Sequence, residues 1–170
     1  MGAGTFADAN FKLDSTAVVA NSSFAAEQVY NDFGCQGRNV SPPLRWSGAP
    51  SGAKSFAVTM YDPDARSGSG WWHWAIYDIP AAVTALPPGA GNPGGELPHG
   101  AAQGRTDFGF AAYGGPCPPP HDKPHHYILT LYALDTEHLG LPAGAAAREV
   151  AAAAKAHSLA AASFTALYGR

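Results

Sequence analysis

Positive charge is in short supply. Lys and Arg number 10 against 13 Asp and Glu, a net charge of −3 with His neutral. Nothing is left over to neutralise a phosphate backbone, which excludes nucleic acid as a partner. Charge of either sign is scarce, at 14% of residues. No apolar run reaches the roughly 18–20 residues that a membrane-spanning helix needs, so no integral membrane segment is expected. The start, Met1-Gly2-Ala3-Gly4-Thr5, lacks a basic-then-apolar signal pattern, and Phe6 stands where a myristoylation site needs Ser or Thr. The expected location is cytoplasmic. Cysteine is nearly absent: Cys35 and Cys117 are the two, in unlike contexts. Free thiols are the default in a reducing compartment, and one disulfide is possible but not required. No Cys-x-x-Cys, His-Glu-x-x-His or Gly-x-Ser-x-Gly occurs, and the glycine-rich stretch 89–95 is followed by no Lys-Ser pair. His121 and His125 have zinc-like spacing, but Pro124 forbids a helical pair. No metal and no cofactor are predicted.

Glycine and proline are plentiful, 20 and 15 residues, in a chain that is 46% hydrophobic. Long ordered loops around a modest set of regular elements fit that composition. A length of 170 residues suits one domain over 1–170. Residues 1–10 are small and polar, a loose start. Phe11 to Val19 and Phe24 to Tyr30 have the look of short, weak strands, and Leu44-Arg45-Trp46 alternates as a short strand does. The clear period-2 segments are 55–61, 72–79 and 126–134. In the second, Trp72, Trp74 and Ile76 are expected on one face and His73, Ala75 and Tyr77 on the other. Residues 108–113 read as a further short strand. Residues 31–43, 81–104 and 114–124 read as loops, the last with five prolines and two glycines. The Ala-rich stretch 144–168 predicts one or two helices, broken near His157-Ser158. Strands first and helices last imply a mainly β fold: an antiparallel or mixed β-sandwich with C-terminal helical cover.

Chemistry concentrates around Tyr61-Asp62-Pro63-Asp64-Ala65-Arg66 and Trp71-Trp72-His73-Trp74. Asp-Pro-Asp alone is an ordinary turn, and a lone histidine is more often structural than functional. A third element, Pro124-His125-His126-Tyr127, changes the weighing, because His125 and Tyr127 share a face. Asp62, His73 and His125 are expected to converge at one sheet end, within about two strand spacings, on the order of 10 Å. Such a cluster among aromatics is a satisfied core pair or a small polar pocket. Cys117, between two prolines, is a conceivable thiolate, with an inert loop thiol the plainer reading.

Six ordered motifs then carry a resemblance. They are Ser41-Pro42-Pro43-Leu44-x-Trp46, Tyr61-Asp62-Pro63-Asp64-Ala65, Gly70-Trp71-Trp72-His73-Trp74, Arg105-x-Asp107-Phe108-Gly109, Tyr113 to Pro119, and His125-x-Tyr127. Together with the tail His157-Ser158-Leu159-Ala160, they make the chain resemble the phosphatidylethanolamine-binding protein family, nearest its bacterial, Raf-kinase-inhibitor-like branch. The resemblance implies a sandwich of a large and a small sheet with a small anion pocket at one end. By motif, Asp62, His73 and His125 fall on its ligand positions. Gly115, Cys117, Pro118, Pro119 and Tyr127 fall on the rim, and Arg66 and Trp72 lie beside it. The implied ligand is a small anion, a phosphorylated head group or a carboxylate, and the implied roles include control of a kinase or protease partner. A homodimer is also implied, and Trp71, Trp72, Trp74 and Tyr77 exceed what one pocket needs. The chain departs from the family pattern at Arg66, where proline is usual, and at His126, where arginine is usual. Two functions follow: a non-catalytic binding module with protonated His73 or His125 as donor, or an enzyme using Asp62, His73 and His125 for acid–base catalysis.

Overall fold

The computed structural model describes residues 10–170. Its elements in chain order are β1 (Lys12–Asp14), β2 (Leu44–Ser47), β3 (Ser55–Asp62), a single turn α1 (Ala65–Gly68), β4 (Trp71–Pro80), β5 (Ala85–Leu86), β6 (Ala102–Gln103), β7 (His125–Leu134), α2 (Ala147–Ala156) and β8 (Ser158–Tyr168). Two antiparallel sheets result. The smaller runs β1-β2-β5 and the larger β6-β4-β3-β7-β8. The three strands with the clearest alternation are thus neighbours, with β3 in the centre.

The strand period explains what each face does. Phe56, Val58 and Met60 of β3 join Leu129 and Leu131 of β7 in the core between the sheets. Leu13, Leu44, Trp46 and Leu86 close that core from the small sheet, with Trp46 edge-on to Phe56 at 5.5 Å. The opposite face of β3 carries Ala57, beside Ala75 of β4, and packs under Val150 and Ala154 of α2. Small residues there let the helix lie close to the sheet. The amide of Ala146, which α2 itself cannot satisfy, donates to the Glu149 carboxylate at 2.8 Å.

Helical cover ends earlier than the alanine content predicts. Residues 158–168 form a strand, not a second helix, and pair with β7 from His125 to Leu134. Ala160, Ala162, Phe164 and Ala166 pack on the core in period 2. A helix there would leave the backbone of β7 without a ladder partner on that side, which costs far more than the propensity of alanine supplies. Three weaker strand expectations also fail. Only Lys12–Asp14 of the first is a strand. Residues 24–30 are turns and extended chain, held by Phe24 N–H to Leu167 O at 2.9 Å and Tyr30 N–H to Pro116 O at 3.0 Å. Residues 108–113 are turns and bends, closed by Thr106 N–H to Phe110 O at 2.9 Å. The loose start at 1–10 falls outside the described residues up to position 9.

The expectation of free thiols is overturned. Cys35 and Cys117 form a disulfide, with Cα atoms 6.0 Å apart and a sequence separation of 82. Cys117 is therefore not a loop thiol of any kind. Two loops bring the pair together. Gly115 N–H donates to Asn39 Oδ1 at 2.8 Å, and a Cβ on Gly115 would sit 2.0 Å from the Gln28 carbonyl oxygen, so only glycine allows the approach. The aromatic surplus is absorbed within the chain as well. Trp74 is fully buried, Tyr77 is 5% exposed, and Trp72 packs at a tilt against Tyr61, ring centroids 4.3 Å apart. Those rings no longer argue for a homodimer.

Closing so long a loop constrains the unfolded chain strongly. The double variant Cys35→Ser/Cys117→Ser should lose about 2–5 kcal/mol of unfolding free energy. Urea unfolding under non-reducing conditions measures it, and equal midpoints for variant and wild type would contradict the assignment.

Candidate functional site

The site lies where β3 ends and β7 begins. The antiparallel register sets Tyr61 opposite Ile128, so the next residues in line are Asp62 and, from β7, Tyr127 and His125. All three are buried, Asp62 at 2% exposure and His125 at 5%. His73 arrives by a different device. Met60 pairs with Trp74 but Tyr61 pairs with Trp72, so one residue of β4, His73, is extra. Such a bulge re-aims a side chain. The His73 ring stands edge-on to Tyr127 at 5.2 Å and to Phe108 at 5.3 Å. The expected alternation therefore fails at this point: His73 turns to the core side, and Trp72 joins Ala75 and Tyr77 on the outer face.

A cavity of about 210 Å³ opens here. Asp62, Arg66, His73, Cys117, Pro118, Pro119, His125 and Tyr127 line it. Phe33, Ala65, Trp71 and Phe108 complete the wall. Two expected residues are not part of it. Trp72 lies outside for the reason just given, and Gly115 lies behind the wall, packed on Gln28. Trp71, adjacent in sequence, is the tryptophan that reaches the cavity.

Hydrogen bonds fix the two histidines in different states. His73 Nδ1 lies 2.7 Å from Gly114 O. A carbonyl only accepts, so Nδ1 carries the proton and Nε2 is the acceptor of the neutral ring. Burial lowers the His73 pKa to about 4, against a weaker upward pull from the Gly114 carbonyl and Asp62. His73 is neutral at pH 7. His125 is the charged one. Its Nδ1 donates to Asp62 Oδ2 at 2.7 Å and its Nε2 to Asp122 Oδ2 at 3.0 Å. Burial opposes the charge, yet the bonds to Asp62 and Asp122 outweigh it and raise the pKa. The second Asp62 oxygen accepts Asp64 N–H at 2.8 Å.

Tyr127 differs from both. Its hydroxyl is buried with no hydrogen-bond partner among the described residues, and burial, followed by the Asp62 charge, raises its pKa. At the mouth, Asp64 accepts from His126 N–H at 2.7 Å and from His126 Nδ1 at 2.8 Å. The backbone N–H of His126 is the largest cause of the lowered Asp64 pKa. Arg66 lies 4.7 Å over the Trp71 ring and 3.3 Å from Asp107. Its φ of 50° is left-handed, a value proline cannot adopt.

Sequence reasoning missed Asp122, Phe33, Trp71 and Phe108 as site residues. Asp122 precedes His125 by three, across Pro124, and that short offset was its one available signal. Phe33 comes from an irregular loop held by the Cys35–Cys117 disulfide and by Arg170 Nη2, which donates to Phe33 O at 3.2 Å.

A family model described as phosphatidylethanolamine-binding protein matches residues 15–169. The chain belongs to the phosphatidylethanolamine-binding protein family. It is 48% identical to the UPF0098 protein YbcL of Escherichia coli K12, over 94% of this chain and 88% of that one. It is 43% identical to YbhB of the same organism, over 92% of this chain and 99% of that one. The crystal structure of E. coli YbcL, described as a member of the mammalian family, superposes with a TM-score of 0.92, covering 95% of this chain and 99% of that one. A family homologue from Chlamydia trachomatis superposes at 0.77 with 29% identity, over 94% and 97% of the two chains. The sandwich is thus the family fold.

The two histidines make opposite contributions to pH dependence. His73, lowered from 6.5 to about 4, stabilises the fold fully above pH 6.5, and that contribution is lost as pH falls toward 4. His125, raised above 6.5, stabilises fully below pH 6.5 and loses its contribution as pH rises through its folded pKa. In His73→Leu the acid limb between pH 6.5 and 4 should flatten by on the order of 3 kcal/mol. Denaturant midpoints at several pH values check this, and an unchanged acid limb would count against a neutral His73.

Proposed function

We propose that the chain, as one domain over 1–170, binds a small oxyanion or phosphoryl head group, without catalysis. The observation that carries this reading is the Tyr127 hydroxyl, buried, without a hydrogen-bond partner among the described residues, and carried by a residue that lines the cavity. Leaving such a donor unpaired costs about 1–3 kcal/mol, and a ligand oxygen removes that cost. The His125 charge is matched by Asp62 and Asp122, and Arg66 adds a cation at the mouth, 3.3 Å from Asp107. Phosphate, a carboxylate or the phosphodiester of phosphatidylethanolamine each offer the required acceptor. A kinase or protease partner would then respond to ligand occupancy.

The acid–base alternative finds less support in these electrostatics. A general base works best with a pKa near the operating pH, and His73 is lowered to about 4. His125 has both ring nitrogens committed to carboxylates, so it offers no lone pair. Compartment also enters differently from the sequence expectation. Disulfides persist in oxidising surroundings, and Cys35–Cys117 favours such a compartment over the cytoplasm.

Calorimetry with inorganic phosphate and with phosphoethanolamine tests the reading. Binding should be measurable for wild type and about tenfold weaker in Tyr127→Phe, the loss of one hydrogen bond to a charged acceptor. The unfolding midpoint of Tyr127→Phe should stay unchanged or rise, because the deleted hydroxyl has no protein partner. Undiminished affinity in Tyr127→Phe would defeat the proposal.

A further inference from the structure

Asp122 bonds His125 without itself lining the cavity. It lies in the strap Pro118-Pro119-Pro120-His121-Asp122-Lys123-Pro124, which leads into β7. The strap is pinned at several points. Arg170 Nε donates to Pro118 O at 2.7 Å, His121 N–H to Arg170 O at 3.0 Å, and Asp122 N–H to Pro119 O at 3.3 Å. His121 has a φ of 71°, a strained value for a non-glycine residue. The result holds the Asp122 carboxylate 3.0 Å from His125 Nε2. Exposure differs sharply across that bond: the Asp122 side chain is 47% exposed and that of His125 is 6%. A carboxylate reachable by water therefore stands over the outward nitrogen of a buried cation. Asp62, at 3% side-chain exposure, holds the other ring nitrogen from the cavity wall.

A carboxylate on an imidazolium N–H is what an oxyanion ligand would itself provide. We infer that Asp122 is a built-in competitor: it occupies the His125 Nε2 position, and an incoming oxyanion must displace it to bond the imidazolium. This inference rests on the oxyanion reading of the cavity. Asp62 stays in place and keeps the ring oriented while Asp122 and the ligand exchange. The half-exposed carboxylate gives up little on release, since water takes over its hydrogen bonds. Asp122 thereby sets a threshold. Weak acceptors such as alcohols do not displace it, and phosphate and carboxylate groups, with full charge, do. The competing account is simple repulsion of anions by one more negative charge, and salt separates the two. Repulsion between exposed charges fades with screening, whereas exchange at hydrogen-bond distance persists.

Asp122→Asn keeps the shape and removes the charge, and at an exposed strap position it should fold as wild type does. Calorimetry with inorganic phosphate at pH 7 should show affinity about tenfold tighter than wild type. The gain should survive at roughly 0.5 M salt, where the Debye length is about 4 Å. The His125 pKa, read by NMR titration, should fall in the variant, because one of its two carboxylate partners is gone. Tyr127→Phe should weaken phosphate binding in both backgrounds. If wild type binds phosphate through Tyr127 but Asp122→Asn binds no tighter, or its gain vanishes in salt, the competitor is overturned and the oxyanion reading stands. If neither wild type nor Asp122→Asn binds phosphate at millimolar concentration, both are overturned. Binding by Asp122→Asn alone would support both.

Discussion

A buried ion pair, His125 with Asp62, is the constraint on which this end of the sandwich depends. Removing one partner of such a pair leaves an uncompensated charge in a low-dielectric interior and costs about 3–5 kcal/mol. The pair therefore needs a frame that presents both groups at once. Adjacent antiparallel strands do so: β3 delivers Asp62 at its C-terminal end and β7 delivers His125 at its start. The second Asp62 oxygen is held by the Asp64 amide, which gives the Asp-Pro-Asp turn a structural reason of its own. Ladder pairing of β8 along the other edge of β7 then fixes the strand that carries His125 and Tyr127. The core and the site are parts of one packing solution.

Much of this was legible because it follows short-range rules. Alternation in 55–61, 72–79 and 126–134 identified the three central strands, and the strand ends placed Asp62 and His125 together. The motif resemblance supplied the family and the two-sheet sandwich. What escaped reading depends on long-range geometry. A bulge at His73 cannot be read from alternation, because a bulge is a break in alternation; it appears only when the β3–β4 register is known. Alanine favours helix as an isolated residue, yet Ala160, Ala162 and Ala166 are strand residues because β7 needed a partner. The disulfide joins positions 82 apart through two irregular loops, and neither loop has a period. Asp122 was passed over because a proline-rich strap offers no pattern that predicts where a side chain points.

The two histidines show how environment, not residue type, assigns charge. Both are about 5% exposed. His73 is buried among aromatic rings, and that loss of solvation keeps it neutral despite the Gly114 carbonyl. His125 faces two carboxylates, which stabilise a cation. The expectation that either histidine could be the protonated donor therefore resolves to His125. Its proton donors are already in use, and among the described residues two cavity-lining side chains keep a buried donor without a partner, the Tyr127 hydroxyl and Trp71 Nε1.

The two departures from the family pattern belong to the same redistribution of charge. Position 126 has histidine where arginine is usual, and it sits 56% exposed on Asp64. A permanent cation has been given up at the start of β7. Position 66 has arginine where proline is usual. Its left-handed φ excludes proline in this turn, and its guanidinium is held between Trp71 and Asp107. A guanidinium stacked on indole and bonded to a carboxylate is oriented without being buried. The permanent positive charge of this segment thus lies on the turn, at Arg66, and not on the strand at position 126.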